Sequence, residues 1–264
     1  MLAEIPFVFI FGLLWGSFAN VVIYRFPKGE SVVHPRSRCP NASCGALIRW
    51  FDNIPVFSWL VLRGRCRKCR CPISWRYPVV ELLTGLLFAI IFYRYGVSWT
   101  TLEYFIFAWG LVVVSFIDFD LMILPDVFTL SGIVLGLVGA ALNPERDLVS
   151  SLWGVFLGGG ILWLVAFLYL LVRKEEGMGG GDIKLLAWIG AVLGWTAIPF
   201  VVLVSSLLGS VVGLTMALRR ETGLKSVIPF GPYLALAALL FLLGGERIGL
   251  WYIGLFLPSL APVN

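Results

Sequence analysis

The sequence predicts an all-α polytopic membrane protein with about eight or nine transmembrane helices and a small cysteine-rich cytosolic domain between helices one and two. Three observations carry that reading. The 264 residues are 59% hydrophobic and only 13% charged, against about 25% charged in a typical soluble domain. The mean hydropathy is +0.94. The apolar residues come in continuous runs close to the ~20 residues a spanning helix needs, not in the alternating strands of a membrane barrel. A formal net charge of +5 would suggest nucleic acid in a soluble protein. In a membrane protein the placement of charge counts for more than its sum, and no nucleic-acid partner is expected.

The first run, 5–24, has no basic residue before it, and Arg25 and Lys28 follow it directly. That is the pattern of a retained span, not of a cleaved signal. Residues 25–78 are polar, basic and proline-containing, and hold all five cysteines. They read as a cytosolic domain inserted between two spans. The remaining spans fall at 79–95, 102–118, 127–142, 151–172, 183–195, 197–218, 229–243 and 248–262. The runs 183–195 and 248–262 are short, so eight spans are as defensible as nine. Gly231-Pro232 and Asn143-Pro144 punctuate the loops. The chain thus divides into a first helix (1–24), a cytosolic domain (25–78) and a membrane core (79–264). With the N-terminus outside, seventeen of the twenty Lys and Arg face the cytosol, in 25–78, 173–184 and 219–225. Only Arg94, Arg146 and Arg247 lie outside. That asymmetry predicts the N-out orientation in a lipid bilayer.

Cys39 and Cys44 lie five apart, Cys66 and Cys69 form a C-x2-C knuckle, and Cys71 follows. Two such pairs about twenty residues apart predict a tetrahedral structural zinc site with Cys39, Cys44, Cys66 and Cys69 as ligands. Arg65, Arg67, Lys68 and Arg70 would favour thiolates there. A domain this small has a modest core and gains stability from a metal. The alternative is free thiols in a reducing cytosol, where disulfides do not persist. Cys71 either replaces Cys69 or is idle. His34, the one histidine, reads as a solvated loop residue.

Carboxylates in or at the edge of a membrane are costly, and so are functional candidates by default. Here they fall in FIDFDLMILPD (116–126), with Asp118, Asp120 and Asp126, and in GMGGGDIK (177–184), with Asp182. In the N-out topology span three ends inside at Asp118 and span six begins inside at Asp182. Two helices can therefore bring these carboxylates together at the cytosolic edge. A close pair shares one proton. One member then activates water while the other protonates the carbonyl or the leaving group, which is aspartic-protease chemistry. Glycines before Asp182, Gly179 and Gly181 among them, allow an extended peptide backbone to approach closely. Spacing alone leaves two other readings open, Asp182 as an N-cap and a cation site. Asp120 falls on the opposite helix face from Asp118, and Asp126 lies beyond a break at Pro125. Both are read as supporting residues. Glu81, early in span two, reads as an interfacial carboxylate in water, with binding of a substrate amine as the alternative.

Gly179-Gly180-Gly181-Asp182 resembles the G-x-G-D motif of intramembrane aspartyl proteases. GSFANVVIYRFP (16–27), IRWFDNIPVFSWLVLRGRCRKC (48–69), PISWRYPVVELLTGLLF (72–88), IDFDLMILPD (117–126), GMGGGDIKLLAWIGAVLGW (177–195) and IPFGPYLA (228–235) carry the likeness further. In order, and over almost the whole chain, they resemble the type 4 prepilin peptidases, the leader peptidases of type IV pilins and type II secretion pseudopilins. The resemblance implies Asp118 and Asp182 as the catalytic pair. It also implies prepilin or pseudopilin substrates with basic leaders, cut at the cytosolic face. It implies a second activity as well, methylation of the new N-terminus with S-adenosyl-L-methionine, in which the cysteine domain is implicated. The sequence departs from the family in its C-x4-C first pair and in Cys71, where the family usually has another residue. No glycine-rich nucleotide fingerprint follows a strand, so the sequence names no methyl-transfer residues. Residues 25–78 would serve equally as a substrate-docking module whose basic surface attracts anionic lipid. The rival functions are a cation transporter and a catalytically inactive scaffold that docks pilins.

Overall fold

The computed structural model describes residues 2–39, 41, 43–175, 177–219 and 228–245. Among them nine α-helices follow in order: α1 (Ile5–Arg25), α2 (Phe57–Val61), α3 (Arg76–Tyr95), α4 (Trp99–Leu121), α5 (Asp126–Leu142), α6 (Leu148–Arg173), α7 (Gly180–Leu193), α8 (Ala197–Arg219) and α9 (Gly231–Leu240). No strand forms among the described residues, only isolated antiparallel bridges at Arg38/Leu47 and Arg65/Pro72. The chain is an all-α polytopic membrane protein. Five helices, α1, α3, α4, α6 and α8, are long and apolar enough to cross a membrane. The helices α5, α7 and α9 are shorter. The 14 residues of α7 rise about 21 Å, less than the ~30 Å hydrocarbon core. The expected span at 248–262 lies outside the described residues, as do Arg220, Lys225 and Arg247.

The chain packs as two compact units, Met1–Val113 and Val114–Asn264. In the first, α1 lies against α3 through small residues. A Cβ on Gly12 would sit 2.8 Å from the Gly85 Cα, and one on Gly16 2.6 Å from the Glu81 Cα. Bare glycines therefore let the two backbones touch, where apolar driving force between helices is weak. Stacked rings complete this unit, Phe88 on Phe105 at 4.1 Å and Phe18 on Trp109 at 5.8 Å.

In the second unit α7 is the central helix. Leu185 through Val192 are all buried, enclosed by α5, α6, α8 and α9. The approach again depends on glycine. Gly154 of α6 and Gly190 of α7 meet backbone to backbone, and Gly132 of α5 lies against the Trp188 indole. The far end of α7 is held by an arginine from the α5–α6 loop. Arg146 Nη2 donates to the Ala191 and Val192 carbonyls at 2.7 and 2.8 Å, and Nη1 to the Gly136 carbonyl at 3.2 Å. The first two are among the carbonyls that a helix leaves unpaired at its C-terminus. Arg146→Ala removes that cap and should cost roughly 1.5–3 kcal/mol, the range for a hydrogen bond to a charged group. A thermal melt of the purified protein in detergent measures it, and an unchanged midpoint would contradict the capping role.

Candidate functional site

Asp118 lies on the last turn of α4 and is 5% exposed. Its Oδ2 accepts a hydrogen bond from the Gly231 N–H at 3.1 Å. Gly231 opens α9, and Pro232 after it suits a first helical turn. The Gly231 N–H is one of the donors a helix leaves unpaired at its start, and here it is directed at the carboxylate. No side chain fits between them, since a Cβ on Gly231 would lie 2.6 Å from that oxygen.

Asp182 is the third residue of α7 and half-buried. The N-cap is Gly179, with extended dihedrals of φ −70° and ψ 142°, and the Asp182 N–H bonds back to the Gly179 carbonyl at 3.3 Å. The N-cap reading of Asp182 is therefore wrong. A carboxylate cap in this protein looks different: Asp147 precedes α6 and accepts from the N–H groups of Val149 and Ser150. Asp182 instead lies within coulombic reach of Asp118. The two carboxylates come from α4 and α7, as the topology predicts.

Leu124 packs the three segments of this site together. A Cβ on Gly181 would lie 2.9 Å from the Leu124 Cβ, and one on Gly231 3.1 Å from its Cδ2. The sequence gives Leu124 no role and offers Gly231 only as loop punctuation, whereas Gly231 is the first residue of α9. Their signals were the Leu-Pro-Asp triplet and a Gly-Pro pair at a helix start. Gly179 and Gly180 have open space around them. Asp120 is exposed, on the other side of α4 from Asp118. The chain turns at Met122, in the left-handed region with φ 55°, and Pro125 is the cap of α5, so the break precedes the proline. Asp126 follows it and accepts from Lys184 Nζ at 2.7 Å. Both partners are partly in solvent, where such a pair contributes little stability.

Glu81 is not in water. It is 7% exposed, and its Oε2 accepts from the Val56 N–H at 2.7 Å. The Ser17 hydroxyl also bonds it. Helix α3 begins at Arg76, so Glu81 sits a turn further along than a helix starting at 79 would place it. Residues 54–56 then fold over it. Val56 takes φ 60°, an unfavourable conformation for a β-branched residue, and the Glu81 carboxylate holds its N–H.

The cysteines meet as two hairpins. Cys39 N–H bonds Ala46 O and Ile48 N–H bonds Ser37 O in the first, and Cys66 N–H bonds Cys71 O in the second. The sulfurs of Cys39, Cys44, Cys66 and Cys69 all lie within 4.8 Å of one another, and those of Cys39 and Cys69 are 3.6 Å apart. A tetrahedron with Zn–S bonds of about 2.3 Å has edges of about 3.8 Å, so this donor set fits zinc. Cys71 also approaches Cys39, Sγ to Sγ 3.4 Å. Burial pushes the Cys39 thiol up. Hydrogen bonds from the Cys71 backbone and thiol bring Cys69 down to about 6, while the Cys69 thiol raises Cys71. Of the nearby cations, Arg67 does not serve the sulfurs. Its guanidinium grips Asp52, with Nη2–Oδ1 at 2.6 Å.

Residues 10–95 match the bacterial peptidase A24 N-terminal domain, and residues 105–214 match the type IV leader peptidase family. A prepilin leader peptidase/N-methyltransferase of Aeromonas hydrophila is 42% identical, over 95% of this chain and 94% of its own length. Proteins of the same name from Pseudomonas aeruginosa and Neisseria gonorrhoeae are 39% and 37% identical, over 96% and 92% of both chains. No solved structure matches. Fold and site together define a multi-helix membrane peptidase. The chain belongs to the type IV leader peptidase family.

Proposed function

We propose that this protein is an aspartyl endopeptidase of the bacterial inner membrane that removes the basic leader from type IV prepilins or type II secretion pseudopilins, and then methylates the new N-terminus. The observation that carries the reading is the meeting of Asp118 and Asp182 from two helices, one carboxylate buried and hydrogen-bonded, the other on a glycine-lined approach. Asp118, whose Oδ2 accepts from Gly231, is the base that takes a proton from the attacking water. Asp182 holds the shared proton and gives it to the substrate carbonyl oxygen, and later a proton passes to the leaving amine. The open space at Gly179 and Gly180 admits an extended substrate backbone. Asp120 and Asp126 serve the site from outside, Asp126 by anchoring Lys184 of α7. Residues 25–78 form the cytosolic module, which Cys39, Cys44, Cys66 and Cys69 would hold around zinc. S-adenosyl-L-methionine, when bound, supplies the methyl group. The excess of Lys and Arg on one side supports an outside N-terminus and a site facing the cytosol. The partners are single hydrophobic helices with basic leaders, and no nucleic acid.

Incubating the purified protein with a prepilin in detergent, and weighing both products, tests this. A shortened pilin and a free leader are expected, the pilin one methyl heavier when the donor is present. An intact prepilin that stays bound would favour the docking scaffold, and ion flux in liposomes without cleavage would favour the transporter. Gly231→Ala should also fail. Its Cβ would push the Asp118 carboxylate aside, and a misplacement of about 1 Å can cost on the order of 10²-fold. Cleavage at the wild-type rate by Gly231→Ala would show that this contact does not position the base.

A further inference from the structure

A cavity of about 330 Å³ lies within the first unit. Its walls come from the cytosolic end of α1, the start of α3 and the chain between them, and Glu81, Trp59, Tyr77, Arg36, Arg38 and Val21 are among its lining residues. The volume falls in the range of small-molecule sites, about 300–1,000 Å³. The Trp59 ring is fixed by its Nε1–H, which donates to the Ile73 carbonyl at 3.1 Å, and so offers a rigid flat face. Glu81 is a buried carboxylate whose hydrogen bonds come from neutral donors, the Val56 N–H and the Ser17 hydroxyl. A buried charge held only by neutral groups gains from a cation brought to it. Two arginines on the same lining, Arg36 and Arg38, suit an anionic group on the same molecule.

A planar base, a cationic centre and a carboxylate in one small zwitterion describe an adenosyl amino acid with a sulfonium. We infer that this cavity binds the methyl donor, with Glu81 facing the sulfonium. The inference rests on the proposed N-methylation and assigns that reaction a place in the chain. The transfer itself balances simply. The amine nitrogen of the new N-terminus, after losing a proton to a base, attacks the methyl carbon, the C–S bond breaks, and its electron pair stays on a neutral thioether. The positive charge beside Glu81 is therefore present in the donor and absent from the product, so the carboxylate favours donor over product in the same cavity.

That difference makes the test. Binding of S-adenosyl-L-methionine and of S-adenosylhomocysteine to the intact protein in detergent is measured by titration calorimetry. Glu81→Gln should weaken the sulfonium donor at least about tenfold and the neutral product less than about threefold, since only the donor loses a charge-assisted contact. Equal weakening of both would mean that Glu81 holds the Val56 turn or faces the ammonium that both ligands carry, not the sulfonium, and no change in either would place the donor elsewhere. Each result overturns the inference. Val21→Trp fills the cavity without removing a hydrogen bond, and serves if Glu81→Gln fails to fold. It should abolish binding of both ligands, and unchanged affinities overturn the inference. A wild-type protein that cleaves prepilin but binds neither ligand overturns the methyl-transfer reading itself, and the inference with it.

Discussion

Asp182→Asn is expected to abolish leader cleavage in a protein that still folds. Asn is nearly isosteric with Asp but cannot exchange the proton, and removing one acid–base partner costs roughly 10²–10⁴-fold or more. The fold should survive because the Asp182 side chain caps nothing. Gly179 is the N-cap of α7, and the Asp182 backbone N–H makes the bond back to it. Asp118→Asn should be as damaging, since the buried carboxylate beside Gly231 is lost. It should nevertheless leave binding of S-adenosyl-L-methionine intact, and joint loss of both activities in folded protein would argue for one shared site. Asp120→Asn is the internal control, an exposed carboxylate two residues from Asp118 on the same helix, and it should cost far less. The elution profile in detergent checks folding, and the rate of prepilin shortening checks activity. A folded Asp182→Asn protein that cleaves normally would refute the mechanism, and the cation-site reading would then lead.

The helices were legible because their signal is local. Continuous apolar runs fall where α1, α3, α4, α5, α6 and α8 form, and even the shortness of α7 could be read from 183–195. The two carboxylates were legible as candidates because each stands at the end of an apolar run, Asp118 on the last turn of α4 and Asp182 on the first turn of α7. The contacts that shape the site were not. Gly231 reaches Asp118 across 113 residues of chain, and nothing local to Ile228-Pro229-Phe230-Gly231 signals a partner. Glu81 was misread as solvated because its burial depends on residues 54–56 folding back onto α3. Arg146, which stood against the charge asymmetry as an outside arginine, is engaged with the end of α7. Topology rules treat a loop arginine as a free charge, and this one is tied to helix carbonyls.

The second large effect is expected at the cysteines. Wild-type protein should carry one zinc per chain, and Cys39→Ser should lose it together with the protease resistance of residues 25–78. Cys39 is the buried member of the cluster, 7% exposed. It lies on the first hairpin, and its sulfur reaches Cys69 of the second at 3.6 Å. A serine hydroxyl is a poor zinc ligand at neutral pH because the metal binds thiolate. The loss should be structural as well as chemical. Structural zinc sites in small domains contribute about 10–16 kcal/mol of apparent binding energy, and among the described residues each hairpin is closed by a single isolated bridge. Cys69→Ser should follow Cys39→Ser. Cys71→Ser should retain the metal, because the four sulfurs that lie within 4.8 Å of one another are those of Cys39, Cys44, Cys66 and Cys69. Elemental analysis and limited proteolysis read the outcome. Active enzyme free of metal would sink the zinc assignment. A larger loss in Cys71→Ser than in Cys69→Ser would make Cys71 the fourth ligand, a result the 3.4 Å approach of its sulfur to Cys39 would then explain.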